Sequence, residues 1–370
     1  MTFRNEDDLE SVIDRIYEAA AVPEYWPQVL ERIAAIADAH AASLIAMGAD
    51  GVTRYIATPS YEPCFSDYAT NGAHLPNLRL PRALELAPMA FVHDLEVCTQ
   101  AELDADPIYT RFAQPHGLGW TAGTVVPVPS GDMLVYDMAK TLRQGPFNRA
   151  EMERLDPLRP HLARAALLAQ RLQLKAAAAA TQALEIVGLP AAVLRRDRTV
   201  LAANAAMLSL SPRVAIGSFD RIRLQDAMPD ALFGATISGP VTDSIQSIPL
   251  AATEEGPAMV AHLLPIRRSA GDIFATADLL LIVTLVTTPD APLTAVLTGL
   301  FDLTPAEAKI ARGIAVGRTV EELAVANGVS PFTTRNQLRA VMMKTGTTRQ
   351  TELALLLSGL RPLPASEAAE

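Results

Sequence analysis

Residues 303–345 read LTPAEAKIARGIAVGRTVEELAVANGVSPFTTRNQLRAVMMKT, and three helix starts follow one another in this stretch. TPAE at 304–307 has the form of a capping box with proline in the first helical position, and TVEE at 319–322 repeats the box. Ser330 followed by Pro331 supplies a third N-cap. Between the last two starts, LAVANG at 323–328 is a short amphipathic helix closed by a turn glycine. The stretch therefore predicts three helices joined by short turns.

The third of these helices has one face suited to packing. From Pro331 onward, Thr334, Leu338, Val341 and Thr345 recur at i, i+4, i+7 and i+11 and share a face. With Met342 beside them, they are expected to pack on the first two helices. This order of helices and turns is that of a helix-turn-helix, whose last helix can enter a major groove.

The opposite face of the third helix carries Thr333, Arg335, Asn336, Arg339 and Lys344. Arginine can donate two hydrogen bonds to guanine, asparagine can pair with adenine, and lysine or threonine can hold phosphates. A polar face of this kind is also typical of a helix that merely faces solvent. Three capped helices in this order favour the DNA-binding interpretation.

Several separated motifs resemble the LuxR/GerE-type DNA-binding domain: LTPAE at 303–307, GRTVEELA at 317–324, GVSPFTTR at 328–335 and KTG at 344–346. The resemblance implies that Arg335, Asn336 and Arg339 face base edges in the major groove. It places Thr333 and Lys344 at the phosphate backbone.

The resemblance also implies a fourth helix at about 349–358 that forms a dimer contact, with Leu353, Leu356 and Leu357 as its apolar stripe.

Three positions depart from the family pattern. The family usually has an aliphatic residue at Thr334, leucine at Thr345 and often histidine at Gln337. Both threonines place a hydroxyl on the packing face, where it needs a backbone acceptor such as the carbonyl four residues earlier. These changes bear on the stability of the domain and on its base preference more than on DNA binding.

Charge is distributed unevenly along the 370 residues. The formal net charge of −10 argues against a nucleic-acid partner for the chain as a whole. Residues 294–362, however, hold eight Lys/Arg against five Asp/Glu, a net of +3, which leaves −13 for the remainder. A basic C-terminal region on an acidic body is typical of a regulator. Because +3 gives one copy only modest phosphate affinity, a dimer that binds two half-sites is expected.

The cysteines, the N-terminal segment and the length of the apolar runs indicate the cellular compartment. Cys64 and Cys98 match no metal-binding spacing, and reduced thiols are expected rather than a disulfide. The acidic, polar start is unlike a signal peptide, and the most apolar run, 279–286, is too short to span a bilayer. We expect a cytoplasmic protein with no membrane partner.

Residues 186–290 are predicted to form a PAS-like domain. Strands at 191–194 and 199–201 flank a polar turn, and Asn204 is a good N-cap for the helix that follows. Apolar segments at 258–266 and 277–286 are predicted to pair as antiparallel strands. The start of this region, particularly Asp197 and Asn204, resembles a PAS domain.

Residues 1–160 are predicted to form a GAF-like or related sensory α/β domain. Helices at 6–20 and 26–40 precede strands at 43–47 and 52–57, and two further strands are expected at 119–128 and 133–139. The polar, aromatic and proline-rich stretch 59–81 is interpreted as a long variable connection, and a helix is expected near 107–114. This region resembles the front part of many LuxR-type regulators.

A helix at 161–185 is predicted to connect the two regions. Leu162, Ala166, Ala169, Leu172 and Ala176 recur at threes and fours. The pattern fits a signalling helix that pairs with its copy in a dimer, and it fits equally a helix that packs on its neighbouring domains.

No enzymatic chemistry is expected. The chain has no GxGxxG, GxxxxGK[ST] or GxSxG motif, and His74, His93 and His116 have no metal-site spacing. His262 lies inside a predicted strand, where a histidine could ligate haem, but a hydrogen-bonded structural histidine is the simpler interpretation. A phosphoacceptor receiver domain is not expected, because the acidic residues of this chain do not follow the strands in the order that such a domain requires. Acyl-homoserine lactone sensing is disfavoured because the PAS-like region intervenes, although Asp106 and Trp120 have a superficial likeness to that family's ligand set.

The predicted fold class is therefore multidomain α+β, with an α/β sensory domain and a PAS-like domain (186–290) followed by an all-α four-helix LuxR-type helix-turn-helix (294–362). The predicted function is sequence-specific regulation of transcription. The expected partners are double-stranded DNA and a second copy of the chain. RNA polymerase and a small-molecule ligand are further candidate partners, and no cofactor is expected. The alternatives are a quorum-type ligand receptor acting through the same domain, a protein-interaction regulator with weak DNA binding, and an enzyme fused to a vestigial helix-turn-helix.

Overall fold

The computed structural model describes residues 6–48, 53–72, 75, 77–86, 90–239, 244–266, 277–286 and 292–360. Its backbone contacts divide the chain into two compact units. The first comprises Met1–Ala178, Leu194–Asp197 and Pro265–Leu279, and the second comprises Ala179–Val193, Arg198–Leu264 and Leu280–Glu370. Among the described residues, no helix has the length and apolarity needed to cross a bilayer.

The N-terminal part alternates helices with strands. Its elements are α1 (Glu6–Ala21), α2 (Trp26–Ile36), β1 (Ala41–Met47), β2 (Thr53–Ala57), α3 (Glu62–Asn71), α4 (Arg79–Leu86), β3 (Val92–His93), α5 (Asp94–Val97), α6 (Gln100–Ala105), β4 (Leu118–Pro127), β5 (Met133–Thr141) and α7 (Arg149–Leu155).

These strands form one five-stranded sheet in the order β2-β1-β5-β4-β3. Each neighbouring pair is antiparallel, with Ser43 of β1 opposite Asp137 of β5 and Gly123 of β4 opposite the same aspartate. Trp26 and Ile33 of α2 are buried in the same core as strand residues, so α2 covers one face of the sheet. The predicted strands of this region are confirmed, and the front of the chain combines helices with an antiparallel sheet.

Two sequence expectations here were wrong in detail. The helix expected to reach residue 40 ends at Ile36, and Asp38 adopts a left-handed φ of 52°, which breaks the helix. The stretch 59–81 is not simply a connection, because it contains α3 and the start of α4. The helix expected near 107–114 is present, and it contains a π-helical turn at Tyr109–Ala113 followed by a 3₁₀ turn.

A single long helix, α8 (Arg159–Ile186), follows α7. Leu162, Ala166 and Ala169 of the predicted stripe are buried in the N-terminal core, whereas Leu172 is 38% exposed. The first half of the stripe is therefore occupied by packing within its own chain.

The middle part contains a second five-stranded sheet. Its elements are β6 (Ala191–Leu194), β7 (Val200–Ala203), α9 (Ala205–Leu208), β8 (Val214–Ile216), β9 (Ile222–Leu224), α10 (Ala227–Ser238), β10 (Gln246–Leu250), β11 (Met259–Pro265) and β12 (Leu279–Leu285).

The second sheet has the order β10-β11-β12-β6-β7, while β8 and β9 pair separately. If the five strands of this sheet are numbered 1 to 5 along the chain, their order read from the β7 edge is 2-1-5-4-3. The first sheet has the same strand order. The two predicted apolar segments are the neighbouring strands β11 and β12, as the sequence indicated, and the polar loop at 267–272 lies outside the described residues. Asn204 caps α9 by accepting the Met207 N–H, which confirms the predicted N-cap.

The C-terminal part is entirely helical, with α11 (Thr294–Phe301), α12 (Pro305–Ala315), α13 (Val320–Asn327), α14 (Pro331–Thr345) and α15 (Gln350–Ser358). We call residues 292–360 the C-terminal domain. Its core is built from apolar side chains of all five helices, including Leu297, Ile314, Leu323, Val341 and Leu353.

Candidate DNA-binding helix and ligand cavity

Local sequence fixes where α12, α13 and α14 begin. The Thr304 hydroxyl accepts the Glu307 N–H while Glu307 accepts the Thr304 N–H, and Thr319 and Glu322 repeat this exchange. The Ser330 hydroxyl accepts the N–H of the third residue of α14. All three predicted caps are therefore confirmed.

The turn between α13 and α14 depends on Gly328. Its φ of 66° lies in the left-handed region, and its N–H bonds back to Ala324 and Val325 carbonyls, which ends α13. Only one residue separates this glycine from the cap at Ser330. The tight turn sets the direction of α14.

The packing face of α14 is the predicted one. Thr334, Leu338 and Val341 are buried, and Met342 is half-buried against the same core. The Thr334 hydroxyl donates to the Ser330 carbonyl at 3.3 Å, and that of Thr345 donates to the Val341 carbonyl at 2.9 Å. Each threonine thus uses the acceptor four residues earlier that the sequence required.

The five residues predicted to contact DNA are all exposed: Thr333, Arg335, Asn336, Arg339 and Lys344. Because α14 buries its other side, Arg335 and Arg339, four residues apart, project from the exposed side one turn from each other. Within the described residues, the side chains of Asn336 and Arg339 make no hydrogen bond or ion pair.

The other three residues have partners inside the domain. Arg335 pairs with Glu321 at 2.8 Å, but both side chains are more than half exposed, so water screens this bridge. Thr333 shares a hydroxyl contact with Ser330 at 2.8 Å. These contacts are weak enough to exchange for phosphate or base.

Lys344 is held more firmly than the sequence indicated. Its ammonium donates to Glu307 Oε2 and to the Asp302 carbonyl, each at 2.8 Å. The Lys344 hydrogen bond, with the Thr304 N–H, lowers the pKa of the Glu307 carboxyl. Lys344 therefore ties the end of α14 to the start of α12, and its phosphate contact stays a prediction.

Helix α15 differs from the predicted apolar stripe. Leu353 and Leu357 are fully buried in the domain's own core, whereas Leu356 is 39% and Leu355 74% exposed. A dimer contact on α15 would therefore use Leu355 and Leu356 and not the predicted three leucines together.

A cavity of about 160 Å³ lies in the first unit, between the sheet and the helices α3 to α5. Aromatic side chains form much of its wall: the rings of Tyr61 and Phe65 are 4.6 Å apart, and those of Tyr68 and Phe112 are 5.6 Å apart. A mostly apolar cavity with a few converging polar groups is the usual form of a small-molecule site.

A cluster of polar side chains in the cavity wall is centred on Arg79. Its Nη1 donates to Tyr109 Oη at 3.0 Å and to Thr121 Oγ1 at 2.5 Å, and lies 3.9 Å from Asp94 Oδ1. Asp94 in turn accepts hydrogen bonds from both the N–H and the hydroxyl of Thr121. Burial raises the pKa of the Asp94 carboxyl, whereas Arg79 and Thr121 oppose the rise.

The other carboxyl of the cavity belongs to Asp137 on β5. Its Oδ2 accepts from Tyr61 Oη at 2.8 Å. Burial raises the pKa of the carboxyl to about 6, although Arg79 and the Tyr61 hydrogen bond favour its ionised form. The residue is half-buried and lines the cavity.

Both cysteines are free thiols and buried, in agreement with the sequence expectation. Cys64 lines the cavity, and burial raises the pKa of its thiol to about 11. It is therefore uncharged at neutral pH.

Histidines and acidic residues form no metal-binding group within the described part of the chain. His116 lies 3.8 Å from Asp67, and Glu96 accepts the backbone N–H of His93. His262 bridges Ser247 and Thr284 on neighbouring strands through its two ring nitrogens. His74 lies outside the described residues.

The cavity was not foreseen from the sequence. Of the two residues noted for a superficial lactone-type likeness, Trp120 only packs beside the aromatic core, and Asp106 accepts the Ile108 N–H in a local turn. A useful signal was present in the spacing of Tyr61, Phe65 and Tyr68, which share one helix face.

Comparison with known proteins gives limited likeness. No protein-family model matches the chain, and no curated protein matches it. Among solved structures, CepR2, an N-acylhomoserine lactone-dependent LuxR-family transcription factor of Burkholderia cenocepacia, has 14% identity and a TM-score of 0.33 over 44% of this chain and 94% of its own.

Two other LuxR-type structures are similar in the same degree. SdiA in complex with octanoyl-rac-glycerol has 12% identity and a TM-score of 0.31, with 97% of each chain covered. The Vibrio cholerae VqmA–ligand–DNA complex has 16% identity and a TM-score of 0.21, over 50% of this chain and 90% of that one. At TM-scores this low the likeness carries no argument, and a functional assignment has to rest on this chain's own residues.

Proposed function

We propose that this protein is a sequence-specific, DNA-binding transcriptional regulator of the LuxR type. The observation that supports this most is the exposed side of α14, where Arg335, Asn336 and Arg339 project while the opposite side is buried. We name these three residues the reading face. The proposal assigns the chain no enzymatic reaction.

The chemistry of the reading face suits the major groove. An arginine can donate in parallel to guanine O6 and N7, and an asparagine can pair with adenine N6 and N7. Thr333 and Lys344 lie toward the two ends of the same helix, where phosphates flank a bound helix. The net +3 of residues 294–362 supplies the attraction to the DNA backbone.

Two copies of the chain would bind a site with two half-sites, because the modest charge of one C-terminal domain gives weak affinity alone. RNA polymerase would be the downstream partner. The middle sheet would serve as the PAS-like region and the N-terminal domain as the GAF-like or related sensory region.

The cavity supports a ligand-controlled form of this function. It has the mostly apolar lining of a small-molecule site, and it lies in the N-terminal part of the chain, ahead of the middle sheet and the DNA-binding part. A bound ligand would change the affinity for DNA only by as much as it favours one state of the protein over another.

The test is selection from randomised DNA by the full-length protein. The expected result is enrichment of one motif, with two related half-sites. Recovery of random sequences, with no motif enriched at any salt concentration, would reject the proposal and favour a protein-interaction role.

A further inference from the structure

Among the described residues that line the cavity there are two carboxyls and one guanidinium, and the three groups are not equivalent. Arg79 and Asp94 are 3.9 Å apart and compensate each other, as an acid and a base commonly do in a buried site. Asp94 also accepts the two hydrogen bonds from Thr121. Asp94 is therefore an internally satisfied group.

Asp137, unlike Asp94, has acceptor positions without a hydrogen-bond donor among the described residues. Within the described residues, Tyr61 is its single hydrogen-bond donor, and a carboxylate has about four acceptor positions. A buried carboxylate with one neutral donor is costly to keep ionised. This cost is consistent with the raised pKa of the group.

We propose that the cavity binds a small primary amine as its ammonium cation, with the ammonium donating hydrogen bonds to the Asp137 carboxylate. The inference rests on the proposed sensory role of the cavity and specifies the class of ligand. A charge-assisted N–H···O bond is about twice as strong as a neutral one, and here it would satisfy the exposed side of Asp137.

The walls of the cavity fit the rest of such a molecule. The rings of Tyr61, Phe65, Tyr68 and Phe112 offer π-faces and apolar contact, and aromatic faces attract organic ammonium groups. Cavities of about 150 Å³ are known to hold a benzene ring, so about 160 Å³ admits one ring with a short arm. The ligand is therefore a compact aromatic or branched amine.

The titratable and charged surroundings of Asp137 come from several elements. Tyr61 and Cys64 belong to the segment of α3, Arg79 to α4 and Asp94 to α5. Burial keeps Tyr61 and Cys64 uncharged near neutral pH, because it raises the pKa of both. The pKa of Asp137, at about 6, lies between pH 5 and 7.5, so its carboxyl changes charge over that range. His93 of β3 and Tyr109 also line the cavity, and burial raises the pKa of the Tyr109 hydroxyl.

Benzylamine and benzyl alcohol are the probes, because they have the same shape and differ in charge. Each is titrated by calorimetry into the full-length protein at pH 7.5 and at pH 5. The variants are Asp137→Asn, which keeps the shape of the side chain, and Asp38→Asn, which removes an exposed charge elsewhere in the same domain. Circular dichroism confirms that both variants are folded.

At pH 7.5 the wild-type protein should bind benzylamine at least about tenfold more tightly than benzyl alcohol. This preference should persist in Asp38→Asn and disappear in Asp137→Asn. Benzylamine affinity should fall about tenfold at pH 5 in the wild type, because a carboxyl with a pKa about one unit higher is then mostly protonated, and should be constant in Asp137→Asn.

At pH 7.5, equal affinity for the two probes, tighter binding of the alcohol, or no binding of either at millimolar concentration would overturn the inference. The titration contains no DNA, so its failure leaves the DNA-binding proposal intact, and a failure to select DNA leaves the titration result intact.

Discussion

The side-chain amide of Asn204 donates to the carbonyl of Thr181, 3.0 Å away in the last turns of α8. The same nitrogen donates to the Leu189 carbonyl, and Asn204 Oδ1 accepts the N–H groups of Ala191 and Met207. The side chain is buried and uses two donors and two acceptor contacts at once. It therefore joins the end of α8, the first strand of the second sheet and the start of α9.

Substitution of Asn204 should be strongly destabilising. Asn204→Ala leaves four backbone groups without their partner and should cost about 2–4 kcal/mol. Asn204→Asp should cost more at neutral pH, because a carboxylate would then face two carbonyl oxygens. Hydrogen exchange of peptides covering β6 and α9 measures the effect, with the exposed Gln182→Ala as control. An Asp variant as protected as the wild type would contradict the assignment of these bonds.

The contact between Lys344 and Glu307 should stabilise the C-terminal domain. Both side chains retain some exposure, so Lys344→Gln should cost only about 0.5–1 kcal/mol. Hydrogen exchange of α12 is the measurement, and the exposed Arg318→Gln is the charge-matched control. Equal protection of α12 in the wild type and Lys344→Gln would show that the contact contributes nothing.

This contact also predicts a pH dependence. The lowered pKa of Glu307 means that the unfolded chain binds a proton more readily than the folded one, so the contribution is present above the ordinary glutamate pKa and is lost as pH falls through the folded value. Acidification should therefore loosen α12 in the wild type and have less effect in Lys344→Gln. A pH response that is identical in the two proteins would argue against it.

The two threonines on the packing face of α14 should respond differently to valine. Thr334 is fully buried, its hydroxyl bond is long, and its own N–H also uses the Ser330 carbonyl, so Thr334→Val should be neutral or slightly stabilising. Thr345 has a shorter bond to Val341 and a contact with Thr347, so Thr345→Val should cost about 1 kcal/mol. Thermal unfolding of the two variants compares them, and the reverse order of stability would refute the prediction.

Asp137 should lower the stability of the protein at neutral pH. Because its folded pKa of about 6 exceeds the ordinary value for aspartate, the folded state holds a proton that the unfolded chain has released. The free energy of unfolding should therefore fall as pH rises from about 4 to 6. Asp137→Asn should be more stable than the wild type by about 1–3 kcal/mol at pH 7.5 and equal to it near pH 4. Urea unfolding at the two pH values tests this, with Asp38→Asn as control, and a destabilised Asp137→Asn at pH 7.5 would be the contrary result.

The C-terminal domain was predictable because its determinants are local. The caps at Thr304, Thr319 and Ser330 and the turn at Gly328 each act within four residues, and the period of the packing face is short. The long-range tie from Lys344 to Glu307 was not predictable, because no local rule relates residues that far apart in sequence.

The cavity could not be predicted for the same reason. Tyr61, Arg79, Asp94, Thr121 and Asp137 come from separate helices and strands, and only the antiparallel sheet brings them together. The stretch 59–81, which supplies Tyr61 and Arg79, also has the sequence of an irregular segment, because its proline and polar residues obscure the helices α3 and α4. The strands themselves, being apolar and bounded by turns, were recognised.

In the proposed function, α14 reads DNA through Arg335 and Arg339. The most direct measurement is a gel-shift titration of full-length protein on the motif that it selects, comparing the double variant Arg335→Ala/Arg339→Ala with Arg312→Ala, which removes an exposed charge from α12 of the same domain. Each reading-face arginine should contribute about 1–3 kcal/mol to specific binding, so the double variant should lose nearly all preference for the motif while Arg312→Ala keeps it. Full affinity and unchanged preference in the double variant would show that α14 does not read DNA through these arginines.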